Sequence, residues 1–196
     1  MLRISAIIMA AGMSKRMKRD KLRMKINDKP IYEYILDTLV NYPFYEKIIV
    51  ARDDEILRKA ENLGFLAVKN FKYFLGKSES IKAGLKAIKE TEGVMFFVAD
   101  QPFIKPETID TLCREFHDNP SKIILPCYNG SLGNPVIFPF FLKDQLMALE
   151  NDQGGKVVIA KNRNKIIKVD ILTNNESMDI DTLEDYKNAL KLNIIS

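Results

Sequence analysis

Three stretches of the chain carry side chains able to do chemistry. The first, MAAGMSKRMKRDK over residues 9–21, sets Ala10, Ala11, Gly12 and Ser14 among and ahead of a run of cations that includes Arg16 and Lys21. Small residues let backbone amides approach a ligand closely, and arginine and lysine pair with phosphate oxygens, so the pattern suits an anion cradle. It suits equally a glycine turn that runs into a solvated basic segment, and spacing alone leaves both open. Neither GxxxxGK[ST] nor GxGxxG is present, so this is not a P-loop or a dinucleotide fingerprint.

In the second stretch, FFVADQPFI, Asp100 follows an apolar run. A carboxylate at the end of a central strand is costly unless a cation, donor or water meets it, and magnesium shared with phosphates is a natural partner. The alternative is a strand-end turn in which Asp100 caps local amides and Pro102 shapes the chain. In the third, MDIDTLEDY, Asp179 and Asp181 alternate with Ile180, so an extended backbone points both carboxylates to one side. Thr182 to Asp185 also form a capping-box variant that opens a final helix.

Other segments are weaker. In GKSESIKAGL, Ser78 and Ser80 at a helix start could touch a base or sugar, although Ser78 as an N-cap accounts for the pattern. NGSLGNPVIF, with Gly133, Asn134 and Pro135, is a hairpin-type turn or the lip of a substrate site. The single histidine, His117, falls near a helix end and receives no catalytic role, and Cys113 is assigned to the core.

The elements that position these residues alternate in period. Near-continuous apolar runs at Ile4, Lys47, Phe65, Val94, Lys122, Pro135 and Ile166 read as strands, several covered on both faces. Between them, Ile31/Ile35/Leu39, Ile56/Ala60/Leu63, Ile81/Leu85/Ile88 and Ile109/Leu112/Phe116 each share a helical face. Asp53 is an expected N-cap and Pro106 an expected first-turn residue. The alternation implies an α/β fold with a mainly parallel sheet in one domain, and ligands in such sheets collect beyond the carboxyl ends of the strands.

Composition narrows the class. The chain has 196 residues, 46% hydrophobic and 29% charged, with 30 basic against 26 acidic residues. Its basic residues are diluted by acids and not interleaved with aromatics, which argues against nucleic acid as a partner. Cys113 and Cys127 form no CxxC pair, so neither a disulfide scaffold nor a zinc site is expected, and a reducing cytoplasm fits. The apolar run from Ile4 to Ala11 is too short for a signal core, and no segment has the length of a membrane span.

Taken in order, MAAGMSKRMKRDKL, VADQPFI, NGSLGNPVIF, NDQGGK and DIDTLEDY resemble the molybdenum cofactor cytidylyltransferase branch of the MobA-like nucleotidyltransferases, from Ile4 to about Tyr186. The resemblance implies a Rossmann-like three-layer α/β/α nucleotidyltransferase domain over 1–196. It also implies Mg2+-dependent transfer of a nucleoside monophosphate to a phosphorylated acceptor, with release of pyrophosphate. The motif AAGxSxRM falls on Ala10, Ala11, Gly12, Ser14, Arg16 and Met17, with the phosphate-binding lysine at Lys21. Metal ligands map to Asp100 and Asp181, with Asp179 as the second choice for the latter. Ser78 and Ser80 join the nucleotide side. Gln101, Pro102, Gly133, Asn134, Pro135, Gly154 and Lys156 form the acceptor side.

An AAG start and DQP resemble the CTP-using members, whereas AGG and DMP resemble GTP users; the Ala11 methyl would narrow a base pocket. The implied partners are CTP, or another nucleoside triphosphate, and an acceptor such as molybdopterin, with a molybdenum hydroxylase as client of the product. Sugar, alcohol or phospholactate-type phosphates stand as alternative acceptors, and a nucleotide-binding accessory protein without turnover as an alternative role. Two motifs depart from the family pattern. Lys18 stands where glycine is usual, and GDxGAR appears as Asn151, Asp152, Gln153, Gly154, Gly155 and Lys156, where lysine keeps the charge of arginine but not its bidentate fork.

Overall fold

The computed structural model describes residues 2–14, 16–17, 19–173 and 175–192, so Lys18 and its neighbour Lys15 lie outside the described residues. The central apolar runs become strands because both of their faces are covered. Strand β1 (Ile4–Ala10) sits in the middle of the sheet, hydrogen-bonded in parallel to β4 (Lys47–Ala51) on one side and to β6 (Gly93–Val98) on the other. β5 (Leu66–Lys69) extends the sheet beyond β4. Beyond β6 lie β9 (Val136–Pro139), β7 (Ile123–Tyr128) and the edge strand β10 (Ile166–Ile171), giving the order β10-β7-β9-β6-β1-β4-β5. Only β9 on this path runs antiparallel to its neighbours.

Alternation along each strand sorts the core into two layers. Ile4, Ala6, Ile8 and Ala10 pack on one face with Ile31, Ile35 and Leu39 of α1 (Ile31–Val40), Ile56 and Ala60 of α2 (Asp54–Asn62), Ile109, Leu112 and Phe116 of α4 (Pro106–Asp118), and Ala189 of α7 (Leu183–Leu192). Ile7, Ile48 and Val50 face the other way, towards Ile81 and Leu85 of α3 (Lys77–Ala87), Leu146 of α5 (Lys143–Met147) and Val158 of α6 (Gly155–Lys161). The four helical faces expected from spacing are thus the buried ones, and α5 and α6 are additional. Both follow the long loops in which no helix was expected.

Local chemistry fixes the ends. The Asp53 side chain accepts from the backbone N–H of Glu55 and Ile56, as expected of an N-cap and worth about 1 kcal/mol. Pro106 occupies the first turn of α4. The NG of NGSLGNPVIF forms a two-residue hairpin turn to β8 (Ser131–Leu132), with both Asn129 and Gly130 at positive φ. A second hairpin of the same kind, β2 (Lys25–Ile26) to β3 (Lys29–Pro30), turns on Asn27 and Asp28. Ser78 is not the N-cap of α3. That position belongs to Gly76, whose φ of 120° suits glycine, and Ser78 lies inside the first turn. Cys113 packs half-buried against the edge of the core beside Tyr42, and burial pushes its thiol up to about 11.

The chain leaves β1 to build β4 and β5 on one side, then crosses to build β6 on the other. The carboxyl ends of β1 and β6 therefore flank the point where the strand order reverses, which is where open α/β sheets bind ligands. No helix among the described residues is long and apolar enough to cross a membrane.

Candidate active site

Side chains from three distant segments meet at this switch point. After β1 the chain passes through Ala10 and Ala11, both buried, to the exposed Gly12, where an added Cβ would meet nothing within 4 Å. Ser14, at a φ of 49°, accepts from the Lys21 backbone N–H at 3.2 Å and so closes the loop on itself. A short turn of 3-10 helix, Lys21–Arg23, then holds Lys21 with its side chain only 10% exposed. After β6, Gln101 N donates to the Val98 carbonyl at 3.3 Å, a tight turn that turns Asp100 towards the same point. The third segment docks by its backbone: Ile180 N donates to the Asp100 carbonyl at 3.1 Å and the Ile180 side chain is fully buried. Asp181 is thereby set beside Asp100.

The Lys21 ammonium bridges the two carboxylates, donating to Asp100 Oδ2 at 2.5 Å and to Asp181 Oδ1 at 2.6 Å. Arg16 takes the other Asp181 oxygen, Oδ2, at 2.7 Å. Burial works against the Lys21 charge, yet Asp100 and Asp181 hold its pKa above the ordinary lysine value. The hydrogen bond from Lys21 holds Asp181 below the usual carboxylate range. Asp179 behaves in the opposite sense. Loss of solvent, then the negative charge of Asp100 and Asp181, pushes its carboxyl up to about 6, against a hydrogen bond from Gln101. The capping-box reading also holds: the Asp185 carboxylate accepts from Thr182 N at 2.8 Å while Thr182 Oγ1 accepts from Asp185 N at 3.1 Å.

Two buried polar atoms stand out beside this cluster. Gln101 is 2% exposed and Ser78 fully buried, yet neither Gln101 Oε1 nor Ser78 Oγ has a hydrogen-bond partner among the described residues. Ser80 is occupied, accepting from Asn70 Nδ2 at 3.1 Å. Pro102 is buried behind Gln101.

The segments expected to serve nucleotide and acceptor touch each other. Ser78 N donates to the Asn151 carbonyl at 3.1 Å, and a Cβ added to Gly76 would lie 2.3 Å from Asn151 carbonyl atoms. Asn151 has a φ of 51°, in the region that asparagine tolerates better than most residues, so the exchange of glycine for asparagine in NDQGGK preserves the backbone path. Gly154 then caps α6, and Lys156 is exposed on its first turn. Gly133 and Asn134 instead gather at Tyr128: the ring lies where a Gly133 Cβ would fall, and Tyr128 Oη donates to the Asn134 carbonyl at 3.1 Å. Buried Pro135 follows them.

Sequence reasoning passed over two residues at the edge of the site. Asp20 accepts from Leu22 N at 3.3 Å and pairs with Arg52 at 3.0 Å. Arg52 immediately follows β4, and the rule about carboxyl strand ends could have found it.

A mostly parallel α/β/α sheet whose switch point gathers lysine, arginine and two aspartates beside a small-residue loop defines a Rossmann-like protein of the nucleotidyltransferase type. Residues 6–166 match the MobA-like NTP transferase domain, and the chain belongs to that family, as the five ordered motifs implied. A probable molybdenum cofactor guanylyltransferase of Thermococcus sibiricus is 26% identical over 130 residues, 66% of this chain and 65% of its own length. A 2-C-methyl-D-erythritol 4-phosphate cytidylyltransferase of Lachnoclostridium phytofermentans is 33% identical over 131 residues, 62% of this chain and 55% of its own. The chain thus spans less than two thirds of these relatives. Among solved structures, a Mycobacterium sp. strain JC1 homologue of Mycobacterium tuberculosis Rv0371c superposes with a TM-score of 0.85 at 23% identity, covering 99% of each chain. The Rv0371c protein itself, solved as a complex with manganese, gives a TM-score of 0.76 at 23% identity, covering 96% of this chain and 98% of its own.

Proposed function

We propose that the protein, as one domain over residues 1–196, transfers a nucleoside monophosphate from a nucleoside triphosphate to a phosphorylated small molecule. CTP is the preferred donor and molybdopterin the leading acceptor. The observation that carries this reading is the convergence of Lys21 and Arg16 with Asp100 and Asp181 at the switch point. Preference for CTP rests on the AAG start that contains Ala11 and on Gln101 in the DQP position, both of which resemble the CTP-using members.

The residues fit a hard divalent cation such as Mg2+. Asp100 and Asp181 each present a carboxylate oxygen to one shared point, which the Lys21 ammonium fills; a divalent cation held there would displace the ammonium and leave Lys21 for the phosphates. Two carboxylates are fewer ligands than such an ion takes, so the rest of its shell would come from phosphate oxygens and water. When bound, such an ion withdraws charge from the phosphates. The chain's own part is positioning and neutralisation: Lys21 and Arg16 stabilise the departing pyrophosphate while an acceptor phosphate oxygen attacks the α-phosphorus and the bond to the β-phosphate oxygen breaks. A phosphate monoester is largely ionised near neutral pH, so no general base is required of the protein.

A second reading keeps the chemistry and changes the acceptor to a sugar or alcohol phosphate; the 33% identity to a methylerythritol phosphate cytidylyltransferase favours it. The test is pyrophosphate release with Mg2+, CTP or GTP, and a panel of molybdopterin-type and polyol phosphates, with the product identified by mass. Turnover should fall at least about 100-fold in Asp100→Ala. Ala11→Gly should shift preference towards GTP. Near wild-type turnover in Asp100→Ala, or an unchanged CTP-to-GTP ratio in Ala11→Gly, removes the corresponding assignment.

A further inference from the structure

Lys21 reaches two carboxylates from a turn only three residues long, so something must hold that turn against the sheet. Ser14 accepts from the Lys21 N–H on one side, and on the other Asp20 uses both carboxylate oxygens. Oδ1 caps Leu22 N at 3.3 Å, and Oδ2 accepts from the Arg52 guanidinium at 3.0 Å. Arg52 stands at the carboxyl end of β4, the strand beside β1, with its side chain 29% exposed. The same guanidinium lies 5.4 Å from the centre of the Tyr73 ring, within cation–π range. Tyr73 opens the 3-10 turn Tyr73–Leu75, which leads directly into Gly76 and the start of α3, where Ser78 leaves its buried hydroxyl unpartnered. One side chain therefore joins the turn that carries Lys21 to the segment that carries Ser78 and Ser80, and it is rooted in the sheet.

We propose that Arg52 is a positioning residue for nucleotide binding: through Asp20 it fixes the Lys21 turn, and through Tyr73 it fixes the segment entering α3. It touches neither reacting group. The proposal rests on the reading that the Lys21 cluster and the start of α3 bind a nucleoside triphosphate. Arg23 also docks the turn, pairing with Asp53 at 3.4 Å and with Glu55, so loss of Arg52 loosens the turn without releasing it.

Calorimetric titration of the full chain with CTP in Mg2+ tests this without any acceptor. Arg52→Met keeps the aliphatic stem and removes both contacts; Asp20→Asn keeps the cap on Leu22 N and removes the charge. Arg52→Met should weaken CTP binding about tenfold, Asp20→Asn by less because the Tyr73 contact survives, and the double variant no more than Arg52→Met alone, since Arg52→Met already cuts the link that Asp20→Asn cuts. Melting temperatures without nucleotide should stay close to wild type, which separates positioning from general destabilisation. Arg52→Lys, which keeps the charge but not the planar fork, should fall between Met and wild type and serves if Arg52→Met does not fold. Less than a fivefold loss in Arg52→Met, or a double variant near a hundredfold, overturns the proposal. If wild type binds neither CTP nor GTP, the nucleotide reading itself fails, a result distinct from wild type and Arg52→Met binding equally.

Discussion

Replacing Lys21 with methionine removes the cation that two carboxylates share. Methionine fills much of the same space, so the change is chiefly one of charge. Because both oxygens touch one nitrogen at 2.5 and 2.6 Å, they are at most about 5 Å apart, and two unit charges at that distance repel by about 3 kcal/mol at an effective dielectric of about 20. Arg16 stays on the far Asp181 oxygen, and the Asp181 side chain is 41% exposed, so solvent and Arg16 reduce the expected loss to about 2 kcal/mol. Urea unfolding at pH 8 should report that loss, and adding Asp100→Asn in the same chain should recover most of it. The sign with pH follows from Asp181, whose pKa is depressed by Lys21. Its contribution is present above the ordinary carboxylate pKa and is lost as pH falls through the depressed value, so wild type and Lys21→Met should converge on acidification. Equal stability at pH 8, or no recovery from Asp100→Asn, would refute the picture of Lys21 as the charge that lets these carboxylates meet.

Two further outcomes are expected. Asp179, with its pKa raised from 3.8 to about 6, withdraws stability as pH climbs through that interval. Asp179→Asn should therefore be more stable than wild type at pH 7.5 and indistinguishable near pH 3.5; the full shift corresponds to about 3 kcal/mol, and because one side of the residue stays open to solvent while the other faces the Asp100 turn, screening leaves about 1 kcal/mol, read from paired urea curves. Gly76→Ala would drive a Cβ into the Asn151 carbonyl at 2.3 Å while holding alanine at a φ of 120°. It should cost about 2–3 kcal/mol and lower the melting temperature by about 4–12 °C, and a change under 2 °C would mean that the two loops separate freely.

Much of this arrangement was legible in the chain because it follows from local rules. Continuous apolar runs such as KIIVA and VMFFVA have to be covered on both faces, and alternation then sorts Ile7 from Ile8 into different layers. Asp179 and Asp181 flank a buried Ile180, so an extended backbone turns both carboxylates to the side where Asp100 lies. What was not legible depends on packing between distant segments. Ser78 has the sequence signature of an N-cap, but the contact between Gly76 and Asn151 moves the helix start and buries the serine. Asp20 is an ordinary surface residue until β4, with Arg52 just past its carboxyl end, comes to lie beside β1. The two-residue strands of the Asn27–Asp28 hairpin and the five-residue helix α5 are too short to show a period.

The close fit of Gly76 against Asn151 also bears on how substrate preference can change in this scaffold. The backbone that begins the nucleotide-side helix and the backbone that leads into the NDQGGK loop form a single wall, with no side chain between them to absorb a shift. A substitution selected for a larger base would displace the loop on the other side, and a loop remodelled for a new acceptor would press on the helix start. Under the proposed function, donor and acceptor choice would be mechanically linked traits, and a graft that transplants only one of the two segments should disturb both.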